Sequence, residues 1–187
     1  MKRIVIGISG SSGAIYGVRL VEVLAGVDGV ETHLIVSAGA RATIGYETRY
    51  DPDEVEAMAD HVYAERDVGA APASGTFCTD GMIVAPCSVK TLSAIASSFA
   101  DTLLVRAADV CLKERRRLVL LVRETPLHLG HLRLMTSVTE AGAVVMPPVP
   151  GFYTRPTTIM DVVDHTITKA LDQFGLDAAL IDRWTGL

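Results

Sequence analysis

Apolar residues along the chain come in two textures, short unbroken runs and longer stretches at helical spacing, and the two alternate. Residues 3–9, Arg-Ile-Val-Ile-Gly-Ile-Ser, are almost wholly apolar, as expected of a strand buried on both faces of a parallel sheet. From Ala14 to Leu24, Ile15, Val18, Leu20, Val21 and Leu24 fall on one helical face, so the first unit reads strand, Gly-Ser turn, helix. Residues 31–37 predict a second strand and 39–47 the start of a helix. Asp51-Pro52-Asp53 is a helix start, with Pro at the first helical position and acids in the first turn, opening a helix over 53–60. Residues 65–80 are small and polar and predict a loop.

The alternation then resumes: strand 81–85, helix from Ser88 to Ser98, helix 101–115, strand 118–122, helix 128–141, short strand 143–146, a proline-rich loop, and helix 158–173 before a tail ending near Trp184. Strands alternating with helices from end to end, without repeat or linker, predict a single α/β domain over residues 1–187. Its expected form is a doubly wound parallel sheet in three layers, α/β/α. In such sheets ligands bind beyond the carboxyl ends of the strands, so functional residues are expected just after strands.

Composition narrows the class. With 49% hydrophobic residues among 187, a packed core is readily built. Only four Phe and one Trp contribute, so the apolar content is mostly aliphatic, and one small domain covering it incompletely makes a homo-oligomer plausible. No apolar run approaches the roughly 18–20 residues of a membrane span, and the chain enters a strand too early for a signal peptide, so no membrane partner and a cytoplasmic location are expected. A net charge of −5 argues against nucleic acid as a partner. The three cysteines, Cys78, Cys87 and Cys111, form no CxxC pair and are expected to be buried apolar fillers.

Three strand ends carry chemistry. Gly7-Ile8-Ser9-Gly10-Ser11-Ser12-Gly13 follows the first strand and opens a helix, where free N–H groups suit an anion such as a phosphate. Its spacing, G-x-x-G-x-x-G, departs from the dinucleotide fingerprint, and the second strand ends at Ser37 where an NAD-binding fold wants an acid, so a mononucleotide fits better. Pro86-Cys87-Ser88-Val89-Lys90-Thr91 makes a second hydroxyl-rich helix start. Leu118–Val122 runs straight into Arg123-Glu124, an Arg able to grip phosphate beside a Glu able to move a proton, against the plainer reading of an ion pair at a strand terminus. His128 and His131 have a spacing open to a metal but no third ligand in pattern, and no metal site is expected.

The segments GISGSSGAIYG, APCSVKTLSAIA, RAADVCLKERR, LVRETPLHLGHLRLM and MPPVPGFYTRP resemble, in order and over essentially the whole chain, the UbiX-type flavin prenyltransferases. That resemblance implies a Rossmann-like flavoprotein, assembled as a dodecamer whose interfaces complete the active site. It implies that reduced FMN is joined at N5 and C6 to the dimethylallyl group of dimethylallyl phosphate without a metal, giving prenylated FMN for a UbiD-type decarboxylase.

Carried onto this chain, the resemblance assigns FMN contacts to Gly10, Ser11, Ser12, Ser37, Ser88, Val89, Lys90, Thr91 and Arg123. It assigns the allylic phosphate to Lys113, Arg123, Tyr153 and Lys169, some of them from neighbouring subunits, and catalytic roles to Glu124, Ser12, Lys113, Tyr153 and Trp184. Aromatic faces at Tyr153 and Trp184 suit allylic cationic character. Lys169 stands where relatives often carry Arg, which grips phosphate bidentately as Lys does not. Two alternatives remain open here. A flavin-dependent cysteine decarboxylase is disfavoured by Ser37-Ala38, where such enzymes generally want a His, and a non-catalytic FMN carrier would need neither Glu124 nor a second phosphate site.

Overall fold

The structure, a computed structural model, describes residues 1–186. Six strands form one sheet: β1 (Lys2–Ile8), β2 (Val30–Val36), β3 (His61–Ala64), β4 (Gly81–Cys87), β5 (Arg117–Val122) and β6 (Val144–Val145). Every pairing is parallel and the order is β3-β2-β1-β4-β5-β6. Seven α-helices join them: α1 (Ala14–Ala25), α2 (Ala38–Glu47), α3 (Pro52–Ala57), α4 (Val89–Ala96), α5 (Leu103–Lys113), α6 (Leu129–Glu140) and α7 (Ile159–Asp172).

The strands with unbroken apolar runs occupy the middle of the sheet, and β4 is buried at every position. Their side chains alternate between two cores, as strand geometry demands. Ile4, Ile6, Ile8, Ile83, Val119 and Leu121 point into the layer of α1, α2, α3 and α7, whereas Val5, Met82, Val84, Leu118 and Leu120 point into that of α4, α5 and α6. Helix α1 lies hard against the sheet at Gly17, where a Cβ would come within 2.3 Å of the Ala85 carbonyl oxygen and 2.9 Å of the Ile8 side chain. Only glycine permits that approach. On its other side α1 is clamped to α7 by Arg19, whose Nε and Nη2 donate to the two Asp164 oxygens at 2.7 and 3.1 Å.

Helix starts follow the expected chemistry. Asp51 caps α3 in a capping box with Glu54, and Thr158 caps α7 in another with Asp161. Three expectations need correction. The stretch between α3 and the 65–80 loop holds β3, a four-residue edge strand with mostly exposed side chains, too short and too polar for its pattern to register. Residues 71–73 form a short 3₁₀ turn within the loop. Cys87 and Cys111 are buried, and burial pushes both thiols up to about 12, but Cys78 is exposed.

Candidate active site

The sheet order changes direction between β1 and β4, and the crevice beyond their carboxyl ends is where a ligand is expected. Four loops converge there, after β1, β2, β4 and β5. The first two touch glycine to glycine: a Cβ on Gly10 would stand 2.9 Å from the Gly39 backbone. The first and third are tied by Ser9, a fully buried hydroxyl that donates to the Pro86 carbonyl at 2.8 Å and accepts from the Ser88 N–H at 2.8 Å. Ser9 was not among the expected site residues, since at a strand end it reads simply as the last inward position.

Between these loops lies a cavity of about 320 Å³ bordered by Gly10, Ser37, Gly39, Glu65, Ser88, Lys90, Thr91 and Thr102. Ser37 caps α2, accepting from the Ala40 N–H at 3.1 Å. Ser88 caps α4, accepting from the Thr91 N–H at 3.2 Å and donating to the Thr91 hydroxyl at 3.1 Å. Helix α4 offers no internal acceptor to the N–H groups of Val89 and Lys90 at its first turn. The Ser11 hydroxyl is buried and has no partner within the protein. A buried orphan hydroxyl costs free energy unless a ligand satisfies it, so this atom fits a bound polar group.

Four helix N-termini, those of α1, α2, α4 and α5, border this region, and the first two are already answered by carboxylates. Glu47, at the end of α2, folds back onto the start of α1 and accepts from the Gly13 and Ala14 N–H groups at 2.8 and 3.1 Å. Burial pushes its carboxyl upward, but hydrogen bonds from Ser12, Gly13 and Ala14, with the Arg123 charge, outweigh that and hold it below the usual carboxylate range. Glu65 likewise accepts from the Ala38 N–H at 2.9 Å. The glycine loop after β1 therefore does not leave its helix N-terminus open for a phosphate, contrary to the sequence expectation. Of the two starts that no carboxylate caps, that of α4 offers an anion Ser88, Thr91 and the exposed cation Lys90, whereas that of α5 offers only Thr102. Glu47 itself escaped the sequence reading: it lies 34 residues from Gly13, and nothing in a helix-terminal Glu signals that contact.

Arg123 and Glu124 leave β5 toward the same crevice but do not pair with each other. Arg123 is half-buried, and its Nε donates to the Ser12 carbonyl at 3.1 Å, bridging the loops after β5 and β1. Glu124 is exposed and accepts from the Thr125 N–H at 2.9 Å. The ion pair considered from sequence is thus absent.

The remaining expected residues gather elsewhere. Tyr153 donates or accepts at 2.8 Å with His165 of α7, and its ring meets that of Trp184 edge-on at 5.8 Å. These two aromatics border a separate cavity of about 410 Å³ with Arg155, Asp161 and Arg183. Lys169 lies one turn beyond His165 on α7, 3.6 Å from Asp172. Lys113 ends α5 and pairs with Glu114 beside Gly75. Thr102, which borders the crevice, caps the opposite end of that 11-residue helix, so the two lie about 16 Å apart along its axis. Within one chain, then, Gly10, Ser37, Ser88, Lys90 and Thr91 border one cavity, Arg123 is joined to Ser12 in the adjoining loop, and Ser11, Val89 and Glu124 neighbour these along the chain. Tyr153, Trp184 and Lys169 form a second group, and Lys113 stands apart.

Comparison with known proteins accords with this geometry. The family described as Flavoprotein matches residues 1–170. A protein of Thauera aromatica named flavin prenyltransferase UbiX is 59% identical over 184 residues, covering 98% of this chain and 94% of its own. A crystal structure of AnUbiX (PadA1) in complex with FMN and dimethylallyl pyrophosphate superposes with a TM-score of 0.97 at 51% identity, covering 100% and 98% of the two chains. A dodecameric FMN-dependent UbiX-like decarboxylase of Escherichia coli O157:H7 superposes with a TM-score of 0.96 at 46% identity, covering 98% and 100%.

Proposed function

The chain belongs to the UbiX family of flavin prenyltransferases, and on that premise we propose that it joins a dimethylallyl group, taken from dimethylallyl phosphate, to N5 and C6 of reduced FMN. Prenylated FMN is then released to a UbiD-type decarboxylase. Reduced flavin supplies the electrons for the new carbon bonds, and the protein supplies position and charge.

The observation that carries this reading is the convergence of loops on one crevice bordered by the hydroxyl-capped, carboxylate-free start of α4, with the orphan Ser11 hydroxyl in the adjoining glycine loop. Ser88, Lys90, Thr91 and the Val89 N–H hold the FMN phosphate there, with Gly10, Ser11, Ser12 and Ser37 along the flavin. Arg123, anchored on the Ser12 carbonyl, faces the second phosphate. Glu124, exposed at the rim, moves the proton that prenylation displaces from the ring, and Glu47 fixes the Ser12 hydroxyl.

Lys113, Tyr153, Lys169 and Trp184 join this site from neighbouring copies in a homo-oligomer, for which a dodecamer is the expected form. Exposed apolar side chains near Tyr153 in the chain, Val149 and Phe152, and on α6, Leu129 and Leu132, support such assembly. Residues 1–187 act as one flavoprotein domain. Among the described residues no helix is long and apolar enough to cross a membrane, and a cytoplasmic location follows the same reading.

The test is anaerobic incubation with reduced FMN and dimethylallyl phosphate, with the pyrophosphate in a parallel tube, followed by mass spectrometry. A flavin heavier by one five-carbon unit is expected. Unmodified FMN with both donors would overturn the proposal in favour of a carrier.

A further inference from the structure

At the opposite, amino-terminal edge of the sheet, three metal-ligating side chains share one face of adjacent strands. Glu31 and His33 are two residues apart on β2 and so point the same way, and the β2–β3 register sets His61 directly beside His33. The Glu31 Oε1 lies 3.0 Å from the His61 Nε2 and 3.4 Å from the His33 Nε2, and the three ligand atoms lie within 4.8 Å of one another. Donors about 2.0–2.1 Å from a shared ion stand about 3.0 Å apart in octahedral and about 3.3 Å apart in tetrahedral coordination, so the two Glu31 spacings fit, whereas the His33 and His61 rings, stacked at 4.7 Å and 11°, must turn for both Nε2 atoms to meet one ion.

An independent observation concerns His33. It is 1% exposed, yet its Nε2 has no hydrogen-bond partner and faces the cluster. Its other nitrogen, Nδ1, lies 3.0 Å from the Tyr63 hydroxyl. With Nδ1–H donating to that oxygen, the tautomer leaves the Nε2 lone pair turned inward, the outer-sphere arrangement that metal-binding histidines use. Arg3 holds the far oxygen of Glu31, Nε to Oε2 at 3.0 Å, while Oε1 is hydrogen-bonded only to His61 Nε2 at 3.0 Å, the bond that an ion seated between them would replace. Of the charged groups acting on His33, the carboxylates of Glu31 and Asp60 outnumber the Arg3 guanidinium.

We propose that Glu31, His33 and His61 form a site for a divalent transition-metal ion, Zn²⁺ or a similar ion, with water completing its coordination on the exposed His61 side. The site is separate from the flavin crevice: His33 lies at the middle of β2 and Ser37 just past its carboxyl end, four residues and about 13 Å apart. Its effect is to pin the short edge strand β3 to β2, which among the described residues depends on few other side-chain contacts.

The experiment uses the chelator-treated full-length protein and Co²⁺ as an optical probe, with Zn²⁺ as competitor. One equivalent of Co²⁺ per chain is expected to give a ligand-field spectrum that Zn²⁺ erases, and Zn²⁺ is expected to raise Tm. His61→Ala, on an exposed side chain, should weaken Co²⁺ binding at least tenfold with the fold retained, and Glu31→Gln should do likewise. A double His128→Ala, His131→Ala variant should bind as the parent does. Absence of a stoichiometric spectrum, binding that survives His61→Ala, or binding lost with the α6 histidines would each overturn the proposal.

Discussion

Replacing Ser9 with Ala removes one oxygen and breaks two buried bonds at once, to the Pro86 carbonyl and from the Ser88 N–H, each 2.8 Å long. Neither partner sits where water readily enters, since Ser9 is 1% exposed. Each lost bond leaves a backbone group wholly or partly unsatisfied, at about 1–3 kcal/mol apiece. The Pro86 carbonyl retains a 3.2 Å bond from the Ser9 N–H, which puts the sum in the lower half of about 2–6 kcal/mol, at about 3 kcal/mol. For a chain of this length such a loss lowers Tm by about 6–12 °C.

The same change uncouples the glycine loop from the start of α4, so FMN affinity should fall about tenfold or more as the two walls of the crevice lose their common anchor. Thermal unfolding at fixed protein concentration and a flavin fluorescence titration measure the two effects. A Tm within 1 °C of the parent together with unchanged FMN affinity would refute the argument that this hydroxyl aligns the loops.

Gly17→Ala should destabilise the protein by about 1–3 kcal/mol or more, read as a lower urea midpoint, because the new methyl meets the Ala85 carbonyl at 2.3 Å. Glu124→Gln is expected to slow prenylated-flavin formation at least a hundredfold while FMN still binds, and an unimpaired rate in single-turnover assays removes its proton-transfer role. Changing Tyr153 to Phe or Lys169 to Ala should raise KM for dimethylallyl phosphate more than Kd for FMN; equal losses would contradict the division between the two groups of residues. The capping bonds from Thr157 and Thr158 hold the Asp161 carboxyl at about 2, below its ordinary 3.8. A depressed pKa stabilises the fold above the ordinary value, and that stability is lost as pH falls from about 4 to about 2. Tm should therefore drop more steeply over that window in the parent than in Asp161→Asn.

Most of the fold was legible because its central strands are buried on both faces, so β1, β4 and β5 announce themselves as unbroken apolar runs. Strand β3 was not, because an edge strand of four residues with exposed positions carries no run and no alternation. The loop ends at Gly10, Ser37, Ser88 and Arg123 could be read because the rule that ligands sit beyond strand ends needs only local pattern. What escaped were contacts made by distant segments: Glu47 over the start of α1, and the Glu31–His33–His61 cluster, which exists only once β2 and β3 are in register. The absence of an Arg123–Glu124 ion pair disposes of the plainer reading of those two residues, since adjacency in a chain places two side chains near one another without obliging them to meet. Lys113 shows the same limit on a larger scale, because its distance from the crevice becomes visible only when α5 is laid antiparallel to the sheet.

The reversal of strand order between β1 and β4 means that the crevice belongs to neither half of the chain alone. Anything seated there stitches the early segment, through residue 47, to the later one beginning at residue 81, and must be let go before either can open independently. Loading with flavin should thus slow amide exchange on both sides of the seam together, turning two separable fluctuations into a single shared one.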